Sequence, residues 1–151
     1  MSIWWSLHLR REAASVPLAR RLLLGTMETA GVDEDIAYEL SLALSEACAN
    51  AVEHGGATDR RTDQYRVTAF LDGDMCRIEV ADHGPGFPAP VSPHPAEKPR
   101  AAPVDTESGR GLHLIEALSD HARFRNRPGD GAVVSFDKIL KWREDALLKV
   151  S

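Results

Sequence analysis

The chain has 151 residues, of which 43% are hydrophobic and 27% charged, the balance of one soluble globular domain rather than of a disordered segment or a membrane-spanning bundle. A net charge of -5 and a pI near 5.6 argue against direct nucleic-acid binding, which needs clustered Lys and Arg to displace phosphate counterions. The two cysteines, Cys48 and Cys76, each fall in a stretch that reads as regular structure, so neither a disulfide framework nor a cysteine metal site is indicated and a reducing compartment fits.

The opening residues place their apolar stretch before Arg10 and Arg11, the reverse of a secretory signal, and no run approaches the ~20 apolar residues of a membrane span. A cytoplasmic protein with no membrane association is expected. Ile3, Trp5, Leu7 and Leu9 alternate with Trp4, Ser6, His8 and Arg10, the period of a strand with one buried face. Ser15 is expected to cap a helix that tolerates Pro17 in its first turn, follows helical spacing through Val16, Ala19, Leu22, Leu23 and Met27, and stops at Gly31. Asp33 is expected to cap the next helix, with Glu34 and Asp35 at the positive end of its dipole. Ile36, Leu40, Ala43, Leu44, Ala47 and Ala51 form its apolar stripe until Gly55 and Gly56.

After a polar loop, residues 65–71 pair with 75–81 across Asp72-Gly73-Asp74 as a hairpin. Between 83 and 108, Pro85, Pro88, Pro90, Pro93, Pro95, Pro99 and Pro103 exclude a helix or a central strand. A loop of that length inside a compact domain reads as a lid. Leu112, Leu114, Ile115 and Leu118 resume helical spacing over 111–118, and strands over 122–126 and 132–139 flank the turn Arg127-Pro128-Gly129-Asp130-Gly131. The tail, 141–150, is expected to form a short helix resting on Trp142, Ala146 and Leu147. This order implies an α+β fold: one domain over 1–151, a two-layer α/β sandwich with a mixed, mainly antiparallel sheet covered on one face by helices.

Three patches carry candidate chemistry. Glu46, Asn50 and His54 share one stripe of the second helix. An amide oxygen from Asn50 suits Mg²⁺, and the Glu46 carboxylate suits the deprotonation of a hydroxyl; the plain alternative is three solvated helix residues. Asp82, at a strand end, is an acceptor-only group matched to an exocyclic amine such as that of adenine, and Gly84 and Gly86 allow close backbone approach; the alternative is an ordinary turn. Ser108-Gly109-Arg110-Gly111-Leu112 opens a helix, where unpaired amides and the dipole favour phosphate and Arg110 adds charge; the alternative is a glycine cap. His8, His94, His113 and His121 lack metal-ligand spacing.

The order of the three is the specific signal. Glu46-x-x-x-Asn50, then Asp82-x-Gly84-x-Gly86, then a long loop, then Gly109-x-Gly111-Leu112 resembles the N, G1 and G2 boxes of the GHKL ATPases. Leu42 to His54 (LALSEACANAVEH) and Ser108 to Ile115 (SGRGLHLI) look like the anti-sigma-factor serine kinases, the RsbW-like branch, over essentially the whole chain. No dimerisation helix with a phosphoacceptor histidine precedes the domain, which argues against a histidine kinase.

The resemblance implies a GHKL (Bergerat) ATP-binding fold with a lid over 83–108, and ATP and Mg²⁺ as cofactors. It implies Asn50 as the Mg²⁺ ligand, Glu46 as the catalytic base for a serine hydroxyl and Asp82 as the reader of the adenine amine. Gly84 and Gly86 would hinge the lid, while Gly109, Arg110 and Gly111, leading into Leu112, would hold the phosphates. The implied activity is phosphorylation of a small anti-anti-sigma protein together with sequestration of a sigma factor, with a homodimer as the expected assembly. Two alternatives share the same residues: a nucleotide-dependent binding module that transfers no phosphate, and a simple ATP hydrolase.

Overall fold

The computed structural model describes residues 2–54, 63–83, 106–126 and 131–144. The elements follow in the order β1 (Ser2–Arg10), α1 (Ser15–Ala30), α2 (Glu34–His54), β2 (Gln64–Asp72), β3 (Met75–Asp82), α3 (Thr106–Leu118), β4 (His121–Asn126) and β5 (Ala132–Ile139). The strands make one sheet in the order β1-β2-β3-β5-β4, and the neighbouring pairs among the described residues are all antiparallel. β3 and β4 run in the same direction across the α3 crossover, but β5 inserts between them. Parallel strands are therefore present without touching, and the sheet is the antiparallel extreme of the α+β arrangement expected.

Tyr65, Val67, Ala69 and Leu71 on β2, with Cys76, Ile78 and Val80 on β3, form the buried floor of the core. α2 packs against α1 on one flank and α3 on the other, and crosses β3. Its stripe Ile36, Leu40, Ala43, Leu44, Ala47 and Ala51 is buried as expected, and alanine at every fourth position lets helix and sheet approach closely. The opposite face of the sheet carries Arg66 with Glu79 at 3.9 Å, Arg77 with Asp137 at 3.8 Å, and Trp4 tilted against Phe70 with ring centroids 6.0 Å apart. An antiparallel sheet can keep one such face in water.

The helix ends follow from local chemistry with one exception. Gly31 has φ 90° and donates to Glu28 O at 3.1 Å, while Val32 N donates to Met27 O at 3.0 Å; this paired closure is the Schellman arrangement, with buried Val32 and Met27 supplying its apolar contact. Asp33 Oδ2 accepts from the amides of Asp35 and Ile36 at 3.1 and 3.3 Å, as a cap should. Ser15 does not cap α1. The N-cap is Ala14, which makes no side-chain bond, and Ser15 is instead buried, with its hydroxyl donating to Glu12 O at 2.7 Å and lying 2.6 Å from Tyr65 Oη.

Gly73, with φ 60°, occupies the first central position of the β2–β3 hairpin, where a type II′ turn needs glycine. The tail also differs from expectation over its described part. Lys141 O accepts from Asp33 N at 2.8 Å, Arg143 N donates to Gly31 O at 2.7 Å, and Trp142 bridges Val32, so an extended strip seals the α1–α2 junction where a helix was expected. Ala146 and Leu147 lie outside the described residues.

Candidate functional site

Asp82 is the last residue of β3 and sits opposite Tyr65 on β2. The Tyr65 hydroxyl meets both Ser15 Oγ and the Cys48 thiol, which sets the strand end that bears Asp82 beneath the C-terminal half of α2. Helical geometry turns Glu46 and Asn50 to the flank of α2 away from Cys48, and that flank faces α3. There an added Cβ on Gly111 would meet Glu46 Oε2 at 3.1 Å. The first and third patches are thus in contact, and Glu46 is half-buried against α3 rather than solvated. Asn50, also half-buried, lies one turn further along the same flank.

Asp82 is 5% exposed, and its Oδ1 accepts the amide of Ala132 at 3.2 Å. A carboxylate kept in so little water needs such a donor. The preceding residue, Gly131, has φ 95°, and a Cβ placed on it would fall 2.3 Å from Asp82 O. Gly131 and Ala132 belong to the turn and strand start that the sequence reads as ordinary hairpin chemistry. A glycine immediately before a strand hints at a positive φ, but its contact with a residue almost fifty positions earlier depends on β5 lying beside β3.

The glycine-rich patch departs from expectation. α3 begins at Thr106, so Gly109, Arg110 and Gly111 lie inside the helix and not in a loop opening it, and 106–108 belong to its first turn and not to a lid. Each glycine costs a helix about 1 kcal/mol relative to alanine, which makes 106–110 read as loop. Leu112 and Ile115 pack on the core behind them and supply the anchoring that the glycines lack. The first amides of a helix have no intrahelical partner, and in α3 those are the amides of 106–108, one turn before Gly111. Gly84, Gly86, His94 and the lid residues between 84 and 105 lie outside the described residues, as does the side chain of His54.

Cys48 and Cys76 are free and buried. Burial pushes each thiol up to about 12, with the Tyr65 hydrogen bond partly offsetting the rise at Cys48 and the Asp137 charge adding to it at Cys76. Both are packing residues, not nucleophiles. Burial, then the neighbouring Cys48, raise Tyr65 as well, so its hydroxyl keeps its proton. Among the described residues no cluster of three or more His, Cys, Asp or Glu could hold a metal. His8, His113 and His121 are exposed, and His121 Nδ1 rests 3.0 Å from Asp137 Oδ1. Among the described helices none is long and apolar enough to cross a membrane.

The chain resembles known proteins over most of its length. Residues 9–138 match the family model described as the histidine kinase-like ATPase domain. The serine-protein kinase RsbW of Bacillus licheniformis is 32% identical over 130 residues, 83% of this chain and 78% of the relative. RsbW of Bacillus subtilis (strain 168) is 31% identical over 128 residues, with the same coverage of 83% and 78%. Among solved structures, one of the RsbU and RsbW domains of a Mycobacterium tuberculosis protein superposes with a TM-score of 0.65 at 26% identity over 90% of this chain, which spans 32% of that longer chain.

Proposed function

We propose, from the premise that the chain belongs to the histidine kinase-like ATPase domain family, that it is a Mg-ATP-dependent protein-serine kinase of the RsbW kind. In this reading it phosphorylates a small anti-anti-sigma protein and sequesters a sigma factor. The observation that carries the proposal is the contact of Glu46 with Gly111, which sets a carboxylate against the helix assigned to the phosphates.

The residues present fit a magnesium nucleotide. Asp82 is a buried acceptor at a strand end, and Gly131 packs so closely on it that a Cβ there would collide with its backbone. Mg-ATP, when bound, supplies the transferable phosphoryl group and the cation that neutralises its charge. Asn50 would hold the cation through its amide oxygen. Asp82 would accept from the adenine amine, and a base lacking that donor would forfeit the bond. The amides at the start of α3, with Gly109, Arg110 and Gly111 behind them, would orient the phosphates.

Glu46 would accept the proton of the acceptor serine hydroxyl as that oxygen attacks. Its position between α2 and α3 limits its rotamers, which favours one productive geometry. The lid, hinged at Gly84 and Gly86, would exclude water from transfer. Self-association belongs to the same proposal: edge strand β1 and α1 present half-buried Ile3 beside exposed Leu18 and Leu22 around a hollow of about 650 Å³, at the end of β1 remote from Asp82. Light scattering on the purified chain tests it, and a monomer at all concentrations refutes it.

Incubation with labelled ATP and candidate acceptor proteins tests the kinase. Glu46→Ala should keep nucleotide binding in a calorimetric titration while transfer falls by about a hundredfold or more, the usual contribution of a positioned base. Unchanged transfer removes Glu46 from that role. A wild-type chain that binds ATP and labels no acceptor is a nucleotide-dependent binding module, and steady phosphate release without an acceptor marks a hydrolase.

A further inference from the structure

Gly131 precedes β5 with φ 95°, a conformation that residues with a Cβ seldom adopt. A Cβ there would lie 2.3 Å from Asp82 O, 2.8 Å from its carbonyl carbon and 2.8 Å from Oδ1. Two of those atoms are backbone held in the β2–β3 ladder, so no side-chain rotation relieves the clash. The next amide, that of Ala132, is buried and donates to Oδ1.

We infer that Gly131 and the Ala132 amide form a positioning element that fixes the Asp82 carboxylate, and through it sets the preference of the nucleotide site for a purine bearing an exocyclic amine. The inference rests on the reading of Asp82 as the acceptor of that amine. The bond from Ala132 at Oδ1 restrains the plane of the carboxylate, and with it the direction of the other oxygen. A donor amine on the base gains the full hydrogen bond, while a carbonyl oxygen in its place meets another acceptor that cannot swing aside. Release of the carboxylate lowers the gain and the penalty together, so discrimination collapses further than affinity does.

The test compares ATP with inosine triphosphate, in which an oxygen replaces the amine, by competition titration in Mg²⁺. Wild type should prefer ATP by about a hundredfold or more. Gly131→Ala should cut that ratio at least tenfold. Ala132→Pro keeps the glycine, removes the amide donor and sets the ring Cδ against Oδ1, at the first residue of a strand where proline is tolerated; it should cut the ratio too, and it decides the matter if Gly131→Ala does not fold. Gly73→Ala is the control: Gly73 also has positive φ, at +60°, but no atom lies within 4 Å of the added Cβ, so it should lower thermal stability and leave the ratio unchanged. A wild-type chain that binds neither nucleotide, or both equally, overturns the reading of Asp82 and this inference with it. Strong wild-type preference that persists within twofold in folded Gly131→Ala and Ala132→Pro overturns the positioning role alone.

Discussion

The Ser15–Tyr65–Cys48 chain can be tested as a directed relay. Ser15 has one proton and its hydroxyl donates it to Glu12 O at 2.7 Å, so in the 2.6 Å contact with Tyr65 Oη the tyrosine must be the donor. The direction makes the two deletions unequal. Ser15→Ala leaves the hydroxyl of Tyr65, a residue only 1% exposed, with the weaker Cys48 sulfur in place of Ser15 Oγ and removes the bond to Glu12 O as well, at a cost of about 2 kcal/mol. Tyr65→Phe removes that donor and leaves Ser15 still bonded to Glu12, at a cost of about 1 kcal/mol. The double variant should cost about 2 kcal/mol rather than the sum, a coupling of about 1 kcal/mol. Urea unfolding with a common m-value reads all three, and in a chain of this size 1 kcal/mol moves the melting temperature by about 2–4 °C. Additive losses, or Tyr65→Phe costing more than Ser15→Ala, would refute the assigned direction.

Two further outcomes are expected. Lys138 joins Glu39 at 2.7 Å and donates to Leu118 O at 2.9 Å, so Lys138→Met should cost about 2 kcal/mol and accelerate hydrogen exchange in the last turn of α3 before the rest of the core; uniform exchange would show that the lysine does not hold that helix end. The buried thiols give a pH test. Folded pKa values near 12 stand above the unfolded reference of 9.0, so the native state binds more protons between those values. Each thiol's stabilising contribution is therefore complete below about pH 9 and is lost as pH rises toward 12, by about 1.4 kcal/mol per pH unit for each thiol. Cys48→Ala should give a shallower alkaline slope in urea midpoint than wild type, and an unchanged slope would contradict burial as the cause.

What could be read in the sequence is what short-range pattern controls. The alternation in β1, the alanine-rich stripe of α2, the Asp33 cap and the Gly73 hairpin each depend on residues within one turn or one strand of each other, and the structure carries all of them. Ser15 misled because a hydroxyl near a helix start serves a cap or a buried bond equally well, and the partner that decides, Tyr65, is fifty positions away. The start of α3 misled because glycine propensity is local while the packing of Leu112 and Ile115 is not. At the site, Glu46, Asn50 and Asp82 stood out as chemistry, whereas Gly131 could not: its significance comes from β5 lying beside β3.

This division explains how the proposed site is held. Glu46 and Asn50 come from a helix, Asp82 from a strand end and Gly111 from a second helix, so their relative placement depends on how α2 packs over the sheet. The buried chain from Ser15 through Tyr65 to Cys48 joins α1, β2 and α2 on one flank of α2, and the contact of Glu46 with Gly111 joins α2 to α3 on the other. Asp82 is tied separately to β5 through Ala132. A helix gripped from both flanks above a strand whose last carboxylate is itself pinned has little freedom to shift, and groups that must meet a ligand within a few tenths of an ångström need that rigidity.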